Sequence, residues 1–144
     1  MADAPERVVV DTNVIFSALL GGGGRFAEAL LQSGHAFHVG ESVLVELFRH
    51  KEKILRLSRL EDEDLARFNH VLLRRLTLFK EDLIAPAHWR AARELCAGVD
   101  ESDTPHVALT LELDGLLWTG DKRLREGLAS KGFDRFFAPE RSDP

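Results

Sequence analysis

The sequence predicts an α/β fold, a short parallel sheet with helices on both faces. Three observations carry that expectation. Val8-Val9-Val10 and Leu116-Leu117-Trp118 are apolar throughout, as strands covered on both sides are. Segments with helical spacing stand between the strand candidates, and such alternation is the pattern of parallel sheets. Both apolar runs also stop on small polar triplets that hold an aspartate, Asp11-Thr12-Asn13 and Thr119-Gly120-Asp121. Open parallel sheets bind their ligands at this carboxyl edge.

After Asn13, Val14 to Leu20 reads as a buried helix with Asp11 or Thr12 as its N-cap. Gly21 to Gly24 break it. That glycine run lacks the Lys-Ser/Thr of a phosphate loop and reads as a flexible connection. Arg25 to Ser33 resumes as a helix, with Phe26, Ala29, Leu30 and Ser33 at helical spacing, and Gly34 stops it. Phe37-His38-Val39 is a short strand closed by Gly40. His35 and His38 have no third metal ligand near them in sequence and read as surface or strand histidines. From Ser42 to Phe48 a helix is apolar except for Glu46, and that context places Glu46 near the core.

Ser58-x-x-Glu61 predicts a capping box, with Asp62, Glu63 and Asp64 in the first turn of a helix that buries Leu65, Phe68 and Leu72. Thr77-Leu78-Phe79 is a third strand candidate. Pro86 opens a helix on which Trp89, Ala92 and Cys96 share a face, and Gly98 ends it. Asp103 stands just before a helix opened by Pro105, with Val107, Ala108 and Leu111 facing inward. Asp114-Gly115 is a turn, Lys122 to Leu128 a helix, Arg135-Phe136-Phe137 an edge strand, and the tail from Pro139 loose.

A chain of 144 residues has the length of one domain, here with a core over about 7–137 and a tail over 138–144. Its 44% hydrophobic and 30% charged residues are those of an ordinary globular protein. The single Cys96 excludes an intrachain disulfide and a cysteine-built zinc site. No apolar run approaches the ~20 residues of a membrane span. Met1 to Arg7 is polar, unlike a signal peptide, so a cytoplasmic location is expected. The net charge of -5 argues against holding nucleic acid by the overall field. Local basic residues, Arg49, Lys51, Lys122 and Arg123 among them, are left for that role, although each alone reads as part of a solvated helix face.

Asp11 and Asp121 follow strands and Asp103 precedes a helix, so all three are expected on one rim. Glu46 could reach the same rim. Each aspartate alone reads as an N-cap, and Glu46 alone could pair with Arg49 or His50. Together they repel, since like charges at short range disfavour ionisation. A hard divalent cation, Mg2+ or Mn2+, resolves the conflict with oxygen ligands. Such ions polarise phosphodiesters and acidify water, so phosphodiester hydrolysis is the natural chemistry of an all-carboxylate site. Thr12, Asn13 and Thr119 are placed to orient those carboxylates by hydrogen bonds.

Val-Val-Asp-Thr-Asn-Val at 9–14, Glu46 in its apolar helix, Asp-Thr-Pro-His-Val-Ala-Leu at 103–109 and Trp-Thr-Gly-Asp-Lys-Arg-Leu at 118–124 resemble the PIN-domain family in order and spacing. The resemblance covers about Arg7 to Phe137. It implies a three-layer α/β/α sandwich and a metal-dependent endoribonuclease whose site is lined by Asp11, Glu46, Asp103 and Asp121. Asp100 is a further acid at the same place. Many small members resemble VapC-like toxins of bacterial toxin–antitoxin pairs, which implies a homodimer and an inhibiting antitoxin protein. Two other readings compete. A haloacid-dehalogenase-like phosphatase also begins with a strand ending in Asp, but it needs a second Asp where this chain has Asn13. A catalytically silent binding module would keep the acidic pocket only for protein contacts.

Overall fold

The computed structural model describes residues 6–21, 25–32 and 34–139. The expected glycine connection over 22–24, the Phe26 side chain, Ser33 and the tail from residue 140 lie outside this description. Four strands form one sheet among the described residues: β1 (Arg7–Val10), β2 (Ala36–Gly40), β3 (Leu76–Phe79) and β4 (Leu116–Trp118). Their order is β3-β2-β1-β4, and every pairing is parallel. The helices are α1 (Thr12–Gly21), α2 (Arg25–Gln32), α3 (Glu41–Arg49), α4 (Lys51–Leu57), α5 (Asp62–Arg74), α6 (Pro86–Cys96), α7 (Thr104–Leu113) and α8 (Lys122–Ser130). Two single 3-10 turns stand at Glu81–Leu83 and Glu101–Asp103.

Alternation along β1 divides the core. Val8 and Val10 join Phe37, Val39 and Trp118 on one face, under Ile15 of α1, Leu30 of α2, Val43 of α3 and Leu72 of α5. Val9 and Leu117 face the other way, onto Ala92 and Cys96 of α6, Val107 and Ala108 of α7, and Leu124 and Leu128 of α8. The result is the expected α/β/α sandwich. No helix among the described residues is long and apolar enough to cross a membrane.

Three local expectations are corrected. The capping box does not form: α5 starts at Asp62 with no side-chain cap. The Ser58 hydroxyl instead donates to the Leu19 carbonyl (3.0 Å) and accepts from Leu60 N (3.2 Å), tying the loop to the end of α1. Arg135 to Phe137 is not a full strand; a single bridge joins Phe136 to Leu117 beside β4. Also, α7 is buried nearly all round rather than on one face, from Thr104 and His106 to Thr110.

The carboxyl ends of all four strands meet one rim. Asp11 follows β1, Glu41 follows β2, Glu81 lies two residues beyond β3, and Thr119 to Asp121 follow β4. Gly115 is required on the opposite side, where a Cβ would stand 2.4 Å from the Arg7 carbonyl oxygen.

Candidate metal centre

Asp11 is buried, 2% exposed, at the point where β1 becomes α1. Its Oδ1 accepts from Val14 N (2.9 Å), so Asp11 rather than Thr12 caps the helix. The Thr119 hydroxyl donates to the same carboxylate and accepts from Asp121 N (3.1 Å). One side chain at the end of β4 thus bridges two acids. Burial raises the Asp11 pKa, the Thr119 and backbone hydrogen bonds oppose this, and the Asp121 charge adds to the rise. Asp121 caps α8, its Oδ1 accepting from Leu124 N (3.1 Å). Asn13 is exposed, and only its backbone is implicated with Asp11. Thr12 Oγ1 is buried without a hydrogen-bond partner.

Asp100 and Asp103 arrive on the 3-10 turn ahead of α7. Asp100 Oδ1 accepts from Ser102 N (3.0 Å) and Ser102 Oγ (2.6 Å). Those bonds hold its carboxyl below the usual range, with the Arg123 charge helping. Asp103 precedes α7 but makes no side-chain cap. Its pKa is pushed up to about 7, first by burial, then by the Asp100 charge and a hydrogen bond with Asp100, then by Asp11 and Asp121. Carboxylate oxygens of Asp100, Asp103 and Asp121 all lie within 4.8 Å of one another. An all-oxygen set under mutual repulsion fits a hard divalent cation.

Glu46 is placed apart from that group. It lines a hollow of about 400 Å³ with Glu41, Ser42, Val45, Arg49 and Glu81. It is half-buried, as its apolar neighbours predicted. His106 is 4% exposed, with Nε2 4.0 Å from Asp103 Oδ1. Burial lowers the His106 pKa, and the Glu46 and Glu81 charges oppose the drop. Of the basic candidates, Arg49 is exposed beside the hollow, and Lys51 lies by an apolar groove of α3–α5. Lys122 pairs with Glu126 at 3.9 Å, and Arg123 is exposed near Asp100.

Sequence reasoning passed over His106, Glu41 and Glu81. The only signal for His106 is its place beside the apolar run Val107 to Leu109; its environment is set by how α7 packs. Glu81 follows a strand as Asp11 does, and the same end-of-strand rule reaches it.

Comparison with known proteins agrees with this fold. The family model of the PIN domain matches residues 9–138. No curated protein matches the sequence. Among solved structures, the crystal structure of VapBC2 from Rickettsia felis bound to a DNA fragment from their promoter contains a chain of similar fold. Its TM-score is 0.63 at 15% identity, over 83% of this chain and 92% of that one.

Proposed function

The chain belongs to the PIN-domain family, and from that premise we propose that it is an Mg2+- or Mn2+-dependent endoribonuclease, the toxin of a toxin–antitoxin pair. The observation that carries the reading is the convergence of Asp100, Asp103 and Asp121 within 4.8 Å, next to buried Asp11. Asp11, Asp103 and Asp121 would hold the cation, with Asp100 as an added ligand and Glu46 completing the site from α3. When bound, the cation supplies Lewis acidity to a phosphodiester and acidifies water.

The chain's own residues do the rest. Thr119 ties the Asp11 carboxylate to the backbone of Asp121 through its two hydrogen bonds and so helps to orient both acids. Asp103, whose carboxyl is pushed up to about 7 without a cation, would give up that proton when it ligates one. Arg49, Lys51, Lys122 and Arg123 would meet RNA phosphates, offsetting the acidic net charge locally.

An inhibiting protein partner is part of the reading. The solved relative is a VapBC2 complex. In this chain Leu44, Leu47, Phe48, Leu55 and Leu73 line an apolar groove, and Phe48 is 78% exposed. An apolar patch of that kind marks a protein contact. A homodimer and a cytoplasmic location complete the proposal. Family membership sets the dehalogenase-like phosphatase aside, and the silent binding module is separated by assay. Purified protein is expected to cut RNA with Mn2+ or Mg2+ and not with EDTA. No cleavage with either ion, together with no calorimetric uptake of Mn2+, would overturn the reading.

A further inference from the structure

We propose that His106 is a positioning residue: its buried imidazole directs Nε2–H at Asp103 Oδ1 and so sets the cluster's affinity for a divalent cation. The inference rests on the metal-site reading above. His106 lies in the first turn of α7, three residues beyond Asp103, and is 4% exposed. The separation of 4.0 Å exceeds a formed hydrogen bond. Contacts of this kind are often long in unliganded sites and tighten when the ligand arrives.

The need for such a residue follows from how the other acids are held. Asp11 is fixed by Val14 N and Thr119, Asp121 by Leu124 N, and Asp100 by Ser102. Asp103 makes no cap, and what engages it is a hydrogen bond with Asp100. Two carboxylates that both ligate a cation have no proton between them to sustain that bond. His106 Nε2 is then the donor within reach of Oδ1. The ring also feels the charges of Glu46 and Glu81, which line the hollow. His106 is therefore linked to Glu46 by charge as well as to Asp103 by proximity. Groups that orient metal ligands from behind typically contribute about 10–100-fold to affinity.

The test is Mn2+ titration calorimetry on the full chain, with metal-free melting recorded for each variant. His106→Phe keeps the ring volume and removes the donor; His106→Gln keeps a donor nitrogen at similar reach. His106→Phe is expected to bind Mn2+ at least about tenfold more weakly, and His106→Gln to stay within about threefold of wild type. If His106→Phe does not fold, His106→Met takes its place against His106→Gln. Wild-type affinity in the donor-free variant overturns the inference, and so does an equal loss in His106→Gln. Failure of wild type to bind Mn2+ overturns the metal-site reading itself and this inference with it. Binding that is indifferent to His106 overturns this inference alone.

Discussion

On the β2–β3 half of the rim, acids are matched to donors. Glu81 Oε1 accepts from Ser42 N (3.1 Å) and Oε2 from Ser42 Oγ (2.8 Å), while Glu41 Oε1 accepts from Glu81 N (3.0 Å). Glu81 thereby caps α3, whose own N-cap Gly40 has no side chain to do so. A Cβ on Gly40 would sit 2.8 Å from Glu81 Oε2, so the glycine leaves room for the borrowed cap. On the β1–β4 half, one acid is left out of such matching. Asp11, Asp100 and Asp121 each accept one or more backbone bonds, yet Asp103 is left against all three. Carboxylates at the same edge thus stabilise one half and load the other. A loaded cluster of this kind has the chemistry that suits a cation rather than a backbone amide.

The largest effect should separate the halves by activity. Asp11→Asn and Asp121→Asn each remove a charge from the loaded half while keeping a cap oxygen. Each is expected to lower Mn2+-dependent RNA cleavage at least about a hundredfold, beyond what outer-shell changes usually cost. Glu81→Gln keeps an acceptor for Ser42 and should retain most of the wild-type rate. Similar losses at Asp11 and Glu81 in a cleavage assay would erase the distinction.

A pH series in EDTA probes the load itself. The unfolded carboxyl titrates near ~3.9, whereas Asp103 in the folded chain titrates at about 7. Between those values the folded state holds the extra proton, so this group's contribution to stability falls as pH rises from about 4 to 7 and levels off above. Asp103→Asn is expected to flatten the urea midpoint over that window. At pH 8 it should stabilise the metal-free protein by on the order of 2 kcal/mol. An unchanged slope in the variant would show that the four acids do not crowd one another.

Much of the fold was legible because its signals are local. Val8 to Val10 and Leu116 to Trp118 needed only their own apolarity, and the parallel order followed from helices between them. Asp11, Asp103 and Asp121 were legible at element ends, although the family resemblance was needed to bring Glu46 into their company. What was missed is non-local. Ser58 forms no capping box because its hydroxyl is taken by Leu19, 39 residues away in sequence. The role of Glu81 depends on Gly40 lacking a side chain on another strand. His106 could not be assigned an environment until α7 proved buried on all sides.

The matched half is tested by stability. Glu81→Ala strips α3 of its cap and leaves Ser42 N without its acceptor. A loss of about 1–2 kcal/mol is expected, the range for N-cap removal. Mn2+ affinity in the same variant should stay close to wild type. A large fall in affinity with unchanged melting would place Glu81 in the loaded half instead.

The smallest effect concerns the basic residues beside the loaded half. Lys122 is 80% exposed, and its contact with Glu126 spans 3.9 Å. Such surface pairs contribute little, so Lys122→Ala should shift stability by less than about 0.5 kcal/mol. If Lys122 meets an RNA phosphate, the same variant should raise KM with kcat unchanged. It should also reduce the salt slope of RNA binding by roughly one. An unaltered salt slope would return Lys122 to an ordinary solvated helix face and leave the acidic rim to recognise RNA through other cations.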